Sequence, residues 1–367
     1  MYIWARPDWP NFTWDDRALI EPLATARLNQ GRLLGRMQGL GFDLQLEAQL
    51  QALTEDVLKS SEIEGDLLDH RSVRSSLARR LGILEAATTP ADRRIEGVVE
   101  MMLDATRNFD TPLTEPRLFG WQAALFPTGY SGMTRVRTGG WRDDANGPMQ
   151  VVSGAVGREH VHFQAPSAAQ LPAEMSAFLD WYAAPPDTDG LLRAGLAHLW
   201  FVTIHPFEDG NGRIARAIAD QALAQSEGAP QRFYSMSSQI RRERADYYAI
   251  LEQTQAGGLD VTAWLQWFLA CFTRAVSGAE TSSSSVLRKA EFWRSHEKVE
   301  LSERQRSILN RFLDGFEGHL TARKWAVLGK CSPASAQRDI ADLVDKGVLA
   351  RNPGGSKNTS YTLVSGR

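Results

Sequence analysis

The sequence predicts a mainly α-helical protein with one small β-hairpin, ending in a unit of three helices and two short strands. Three observations predict it. Apolar residues recur at three- and four-residue steps through most long segments. The stretch from Gly139 to Pro166 departs from that habit in favour of glycine and valine. A Ser-rich segment, Gly278 to Ser285, then separates a C-terminal part with its own caps and turns.

The elements follow in chain order. Tyr2, Trp4, Pro7, Trp9, Pro10 and Phe12 suggest a packed cap on the helical body. Leu46, Leu50, Leu53 and Val57 mark a helix, and Gly65 is suited to its C′ position, which places Glu64 at its last turn. Met149 to Val152 and Val161 to Phe163 read as the strands of a hairpin around the turn-prone Gly154 to Gly157. Leu192, Leu196, Leu199 and Val202 mark a second helix, ending at His205-Pro206 because proline disfavours helical geometry in the residue before it. Ile214, Ala217, Ile218 and Ala222 mark a third. Pro185-Pro186 and Gly257-Gly258 punctuate loops, and Gly278 to Ser285 is expected to be a flexible linker.

A chain of 367 residues suits two or three domains, and 43% hydrophobic with 23% charged residues is ordinary for a globular protein. A net charge of −3 excludes a nucleic-acid coat but not a local basic patch. Cys271 and Cys331 offer neither a disulfide framework nor metal-ligand spacing, which fits a reducing compartment. No export signal opens the chain, and no apolar run reaches the ~18 residues of a spanning helix. The expectation is a soluble cytoplasmic protein without a membrane partner.

Chemistry concentrates between His205 and Arg216. Asp209-Gly210-Asn211-Gly212 is a tight turn opening a helix, and exposed N–H groups at a helix N-terminus bind anions, phosphate above all. Arg213 and Arg216, three residues apart, reach the same polyanion. Asp209 supplies a hard oxygen for Mg²⁺, and His205 is the group there able to accept a proton near pH 7. A base, a metal ligand, an anion cradle and two cations specify phosphoryl or nucleotidyl chemistry. Phe207, between catalytic-type residues, reads as an anchor in the core, and His198, on an apolar helix, as a satisfied core histidine.

His205-Pro206-Phe207-Glu208-Asp209-Gly210-Asn211-Gly212-Arg213-Ile214-Ala215-Arg216 resembles the signature of the Fic (Fido) family at every defined position. The resemblance implies a Fic/Fido helical core with a β-hairpin flap. It also implies transfer of AMP from ATP to a protein hydroxyl: His205 deprotonates the acceptor, Asp209 holds Mg²⁺, Gly210, Asn211 and Gly212 cradle phosphates, and Arg213 and Arg216 take the β and γ groups. Thr138 to Arg142 with the hairpin resembles the family's flap, which pairs with target backbone and brings Val152, Ser153 and Gly154 near the nucleotide. Tyr247-Tyr248 resembles a tyrosine pair near the adenine, with Gln255 a further candidate. His160 and His162 read either as target contacts or as ordinary hairpin residues.

Ser60-Ser61-Glu62-Ile63-Glu64-Gly65 resembles the inhibitory motif of the Fic class whose brake lies N-terminal to the core. The resemblance implies that Glu64 pairs with Arg216 and fills the space of the γ-phosphate; alternatively, Glu64 aligns a water that removes AMP from a modified target.

Beyond Leu301, Ser302 and Thr321 are suited to cap two helices and Pro333 to open a third. Strands at Gly347 to Leu349 and Tyr361 to Leu363 flank a wing from Asn352 to Asn358. This resembles a winged helix-turn-helix. From Ser302 to Arg367 the chain has 11 Lys+Arg and 6 Asp+Glu, a balance of +5. That balance is compatible with DNA contact through Ser335, Gln337, Arg338, Arg351 and Lys357, while Asp339, Asp342 and Asp345 favour a protein partner.

The resulting expectation has four parts: a cap with the inhibitory helix (1–95), a Fic core (96–277), a linker with a connecting helix (278–300) and a winged helix-turn-helix (301–367). It is an adenylyltransferase that uses ATP and Mg²⁺, is restrained in cis, acts on a protein target and on itself, and is compatible with a homodimer. The alternative is a DNA-binding regulator whose nucleotide site senses without turning over.

Overall fold

A computed structural model describes residues 1–83, 87–145, 147–154, 158, 160–282, 284–313, 319–353 and 359–364. The described chain is mainly helical and divides into two compact units, Met1–Met37 with Gln49–Ala279, and Gln38–Ala48 with Glu280–Arg367.

In the larger unit, α1 (Asp16–Gln38) up to Met37 and α2 (Phe42–Ile63) from Gln49 precede α3 (His70–Leu81), α4 (Arg93–Arg107) and α5 (Glu115–Leu125). Two small hairpins follow: β1 (Tyr130–Ser131) with β2 (Thr134–Arg135), then β3 (Gln150–Ser153) with β4 (His160–Gln164). Six helices then run in order, α6 (Leu171–Ala183), α7 (Gly190–Ile204), α8 (Asn211–Glu227), α9 (Met236–Arg242), α10 (Arg244–Gln255) and α11 (Thr262–Ser282). Side-chain caps start α3, α4, α5, α7 and α9. Asp69, Asp92, Thr114, Asp189 and Ser235 each accept a first-turn N–H, satisfying donors that a helix start leaves open.

The centre is α7 against α8. Every residue from Leu191 to Ile204 is buried, so α7 is enclosed on all sides, and only Arg193, His198 and Thr203 interrupt its otherwise apolar and small residues. Trp264 donates from Nε1 to the Gly195 carbonyl at 2.8 Å, and a Cβ on Gly195 would meet Leu265 and Phe268 at 3.1–3.2 Å. That glycine lets α11 approach α7. At the N-terminus, Trp4 donates to the Gln164 carbonyl at 2.7 Å and Trp9 to Glu174 at 2.8 Å. Both tryptophans thereby fix the cap to the base of the second hairpin and to α6.

The hairpin expected between Gly139 and Pro166 is β3–β4, antiparallel, with Val151 opposite Phe163 and an irregularity between Val151 and Val152. Phe163 is buried, whereas Val152 and Val161 face out. Residues 155–157 of its expected turn lie outside the described residues. The β1–β2 hairpin was not anticipated, since its two-residue strands carry no periodicity.

The smaller unit contains α12 (Ser284–Ser295), α13 (Glu303–Leu313), β5 (Leu320–Thr321), α14 (Ala322–Leu328), α15 (Pro333–Asp345), β6 (Leu349–Arg351) and β7 (Ser360–Leu363). Its sheet has the order β5-β7-β6 and is antiparallel throughout. Ser302, Thr321 and Ser332 cap the three helices α13, α14 and α15. Ile308, Leu309, Trp325, Ile340, Leu343 and Leu349 form the core. Asp339, expected as a surface charge, is buried; it receives two hydrogen bonds from Arg304 and one from Trp325 Nε1. Wing residues 354–358, Lys357 among them, lie outside the described residues.

One expectation fails. Gly278 to Ser282 is helical rather than a flexible linker, since α11 continues through Ser282, and Ser284 and Ser285 open α12; Ser283 lies outside the described residues. The buried row Phe272, Ala275, Val276 and Ala279 carries the helical period into the small-residue segment. Packing outweighs the weak helix propensity of serine. Among the described residues, no helix is long and apolar enough to cross a membrane.

Candidate active site

The site is built where α7 stops and α8 starts. His205 closes α7 in the left-handed region, φ 51 and ψ 58, an arrangement that costs a residue with a Cβ roughly 1–3 kcal/mol. Arg142 holds it there. Its Nε donates to the His205 carbonyl at 2.8 Å, its Nη2 to the Pro166 carbonyl at 2.6 Å, and its backbone N–H to the Pro206 carbonyl at 2.9 Å. Phe207 is fully buried among the rings of Phe119, Trp141 and Phe201. It is a core anchor.

His205 Nδ1 lies 3.3 Å from the Val202 carbonyl, which can only accept, so Nδ1 carries the hydrogen and Nε2 keeps a lone pair. Burial pushes the imidazole down from 6.5 to about 4. It is therefore neutral at pH 7 and able to take a proton.

Gly210 caps α8 with φ 90, a conformation open to glycine, and the first turn of α8 has no side-chain cap. Its backbone donors are thus left for an anion. Asn211 contributes differently from expectation. Its side chain accepts from Phe207 N–H at 2.9 Å and donates to the Phe207 carbonyl at 2.7 Å, bracing the loop from inside. Only its backbone remains for a phosphate.

Arg213 and Arg216 are almost wholly buried, and two donors, Arg213 Nε and Arg216 Nη1, find no protein acceptor. Burying charged donors without partners is expensive, and an anionic ligand would repair it. Asp209 is half-exposed; it accepts from Ser131 Oγ at 2.6 Å and from Gly210 N–H at 2.6 Å. One partly exposed carboxylate beside a phosphate cradle fits Mg²⁺, which is commonly held by one or two carboxylates plus substrate oxygens.

The end of α2 closes over this site. Arg216 donates from Nε to Ser60 Oγ at 2.9 Å, and from Nη2 to the Ser60 carbonyl and Glu64 Oε1, both at 2.8 Å. A Cβ built on Gly212 would lie 2.2 Å from Glu64 Oε1, so the carboxylate rests against the first turn of α8. Gly65, at φ 84, makes the turn that delivers it. The same turn brings Asp66 to 3.7 Å from Arg213 and into a pair with Arg94. Asp66 was not singled out from sequence, where a lone aspartate after a glycine carries no signal. The arginines of the site thus each face a carboxylate from one N-terminal turn.

The outer candidates divide. Val152, Ser153 and Gly154 are exposed on the second hairpin. Tyr247 is 2% exposed and Tyr248 39%. Tyr247 belongs to the interior: its hydroxyl lies 2.9 Å from His198 Nε2 and its ring packs on Trp267. His198 is buried with it and pushed down to about 3, first by burial and then by the Arg216 charge. Gln255 is also buried, donating to Thr203 Oγ1 at 3.2 Å. Of the tyrosine pair, Tyr248 is the exposed member, with the Arg244 guanidinium 5.4 Å over its ring, while Trp264 and Trp267 on α11 pack against Tyr247.

Residues 112–223 match the family model described as the Fic/DOC family, and residues 2–83 match a domain of unknown function, DUF4172. The chain is 31% identical over 123 residues to "Protein adenylyltransferase Fic" of Nematostella vectensis, covering 32% of this chain and 26% of that protein. It is 31% identical over 120 residues to "Protein adenylyltransferase fic-1" of Caenorhabditis elegans, covering 32% of this chain and 22% of that protein. It thus spans about a quarter of these relatives' length. The fold is similar to that of a Fic family protein from Desulfovibrio desulfuricans, with TM-score 0.59, 20% identity, and coverage of 97% of this chain and 98% of that one. A Fic domain-containing signaling protein from Bacteroides thetaiotaomicron gives TM-score 0.50 and 22% identity, covering 70% of this chain and 97% of that one.

Proposed function

We propose that this chain, whose residues 112–223 match the Fic/DOC family, transfers AMP from ATP to a hydroxyl of a protein and is restrained in cis by Glu64. One observation carries the reading. A turn with open backbone donors is flanked by a neutral histidine and by two buried arginines with unfilled N–H groups.

The chemistry follows from these groups. His205 Nε2 takes the proton of the acceptor hydroxyl, and the oxygen attacks the α-phosphorus of ATP. The bond to the β-phosphate oxygen breaks, and pyrophosphate leaves with its electron pair. Backbone N–H groups of α8, Arg213 and Arg216 hold the charge that develops, where preorganised donors contribute most. Asp209 would hold Mg²⁺, which supplies neutralisation of phosphate charge. Glu64 opposes this arrangement by accepting from Arg216 Nη2 at 2.8 Å, a donor that a terminal phosphate would otherwise take. Release of that pair frees an Nη2 hydrogen for the phosphate.

Incubation with ATP labelled at the α-phosphate tests the reading. The Glu64→Gly protein is expected to label itself or a lysate protein at least ten times faster than wild type, and His205→Ala to abolish labelling. Equal, low labelling in wild type and Glu64→Gly overturns the restraint. Loss of pre-attached label from a target only when Glu64 is present assigns removal of AMP instead.

A regulator that binds DNA is the second reading. Its support is a basic C-terminal unit in which Gln337 and Arg338 are exposed on α15, next to the half-buried Ser335. A salt-sensitive gel shift without AMP transfer would favour it.

A further inference from the structure

Away from the phosphate turn, the second hairpin meets α10 through three ligand-type side chains. His160 and His162 lie on one face of β4, two residues apart, with ring centroids 4.6 Å from each other. Glu252, on α10, reaches both: Oε2 is 2.8 Å from His162 Nδ1 and Oε1 is 3.9 Å from His160 Nε2. One ligand atom from each of the three fits within 4.8 Å of the others, and among the described residues no further such His/Cys/Asp/Glu group occurs.

We propose that His160, His162 and Glu252 form a site for one zinc-class divalent cation that ties the β3–β4 hairpin to α10. Zinc–ligand distances of about 2.0–2.2 Å place neighbouring tetrahedral ligand atoms roughly 3.3 Å apart. Glu252 reaches the two rings with different oxygens, at 2.8 and 3.9 Å, and one ligand atom from each residue already lies within 4.8 Å of the others, so side-chain rotations close the site. Two imidazoles and one carboxylate select zinc over magnesium, which prefers an all-oxygen octahedron. This set leaves a fourth position for water or a ligand from outside, as in zinc sites with two histidines and one glutamate.

A supporting hydrogen bond is already in place. Ser153 Oγ lies 2.6 Å from His162 Nε2. Without metal, His162 Nδ1 donates to the Glu252 carboxylate, so Nε2 accepts from the Ser153 hydroxyl. With metal on Nδ1, the ring hydrogen moves to Nε2 and donates to Ser153 Oγ. The ring keeps both neighbours, Ser153 and Glu252, in either state. Such outer hydrogen bonds fix the ring and raise its basicity as a ligand. His160, His162 and Glu252 are at or near the surface, so the site needs no opening of the core.

The site is independent of adenylyl transfer, and its test uses metal alone. Zn²⁺ is titrated by calorimetry into the full chain without nucleotide, and Co²⁺ binding is followed by its visible d–d absorption. One ion per chain is expected, with Co²⁺ giving the intense bands of four- or five-coordination. His160→Ala and Glu252→Gln should each weaken binding at least 10-fold. Glu252→Gln keeps an acceptor for His162 Nδ1–H, so the hairpin contact survives while the ligand charge is lost. Wild type that binds no Zn²⁺, or variants that bind as wild type does, overturn the proposal. Weak Co²⁺ bands of an octahedral aquo-like ion do the same.

Discussion

Glu64 and Arg216 stand 152 residues apart in the chain and meet at 2.8 Å, Oε1 to Nη2, beside the first turn of α8. Ser60, one helical turn before Glu64, holds the same guanidinium by its hydroxyl and its carbonyl. Arg216 is therefore gripped twice, once by a neutral pair of acceptors and once by a charge.

The two grips separate by experiment. Ser60→Ala leaves Arg216 Nε buried without an acceptor and should cost about 1–3 kcal/mol, as removing a partner from a buried charged donor does. Glu64→Gly leaves both Ser60 contacts in place and should cost less than Ser60→Ala while raising AMP transfer. Urea unfolding of both variants reads the difference. A larger loss in Glu64→Gly than in Ser60→Ala would mean that the ion pair, not serine, secures Arg216.

The depressed histidines predict a pH dependence of stability. In the unfolded chain, His205 and His198 take up protons as pH falls through about 6.5. In the folded chain they resist until about 4 and about 3. Between these values the unfolded state binds more protons, so their contribution is fully present above 6.5 and is lost as pH falls toward 4. The urea midpoint should drop between pH 7.5 and pH 5, and the drop should be smaller in His205→Ala than in wild type. Parallel drops in the two proteins would show that His205 titrates normally.

The tyrosine pair divides by burial. Tyr247→Ala removes a ring that is 2% exposed together with the hydroxyl partner of His198. It should cost about 3–5 kcal/mol. Tyr248→Ala should leave the melting temperature within a few degrees of wild type and raise the KM for ATP several-fold. An unchanged KM would remove Tyr248 from the nucleotide site.

Arg142 braces the His205 loop through the His205, Pro166 and Pro206 carbonyls. Arg142→Ala forfeits the side-chain bonds to the His205 and Pro166 carbonyls, and freedom at His205 should lower kcat about 10- to 100-fold with little change in KM for ATP. Equal loss in kcat and rise in KM would point to general unfolding of the loop instead.

Sequence and structure agree where one physical signal dominates. Leu192, Leu196, Leu199 and Val202 announce α7 by spacing, and the His205-Pro206 step announces its end. Ser302, Thr321 and Pro333 mark helix starts because capping is local. Elsewhere tertiary packing adds what spacing does not show. Tyr247 and Gln255, read from sequence as nucleotide contacts, are enclosed by neighbours on α7 and α11. The Ser-rich segment reads as a linker, yet buried Ala275, Val276 and Ala279 carry α11 into it as far as Ser282. Asp66 and Arg142 become meaningful only once the chain brings distant loops to them. Burial from afar leaves no mark in a local window.

The turn from Ser60 to Asp66 precedes the phosphate turn by about 140 residues, as the positions of Ser60 and His205 show. A ribosome therefore emits Glu64 long before it emits the loop that carries Arg216, and domains tend to fold in that order. At no stage of synthesis does the loop from His205 to Arg216 exist without Glu64 already made. Under the proposed restraint, release would come after synthesis, through a group that competes for the Arg216 guanidinium.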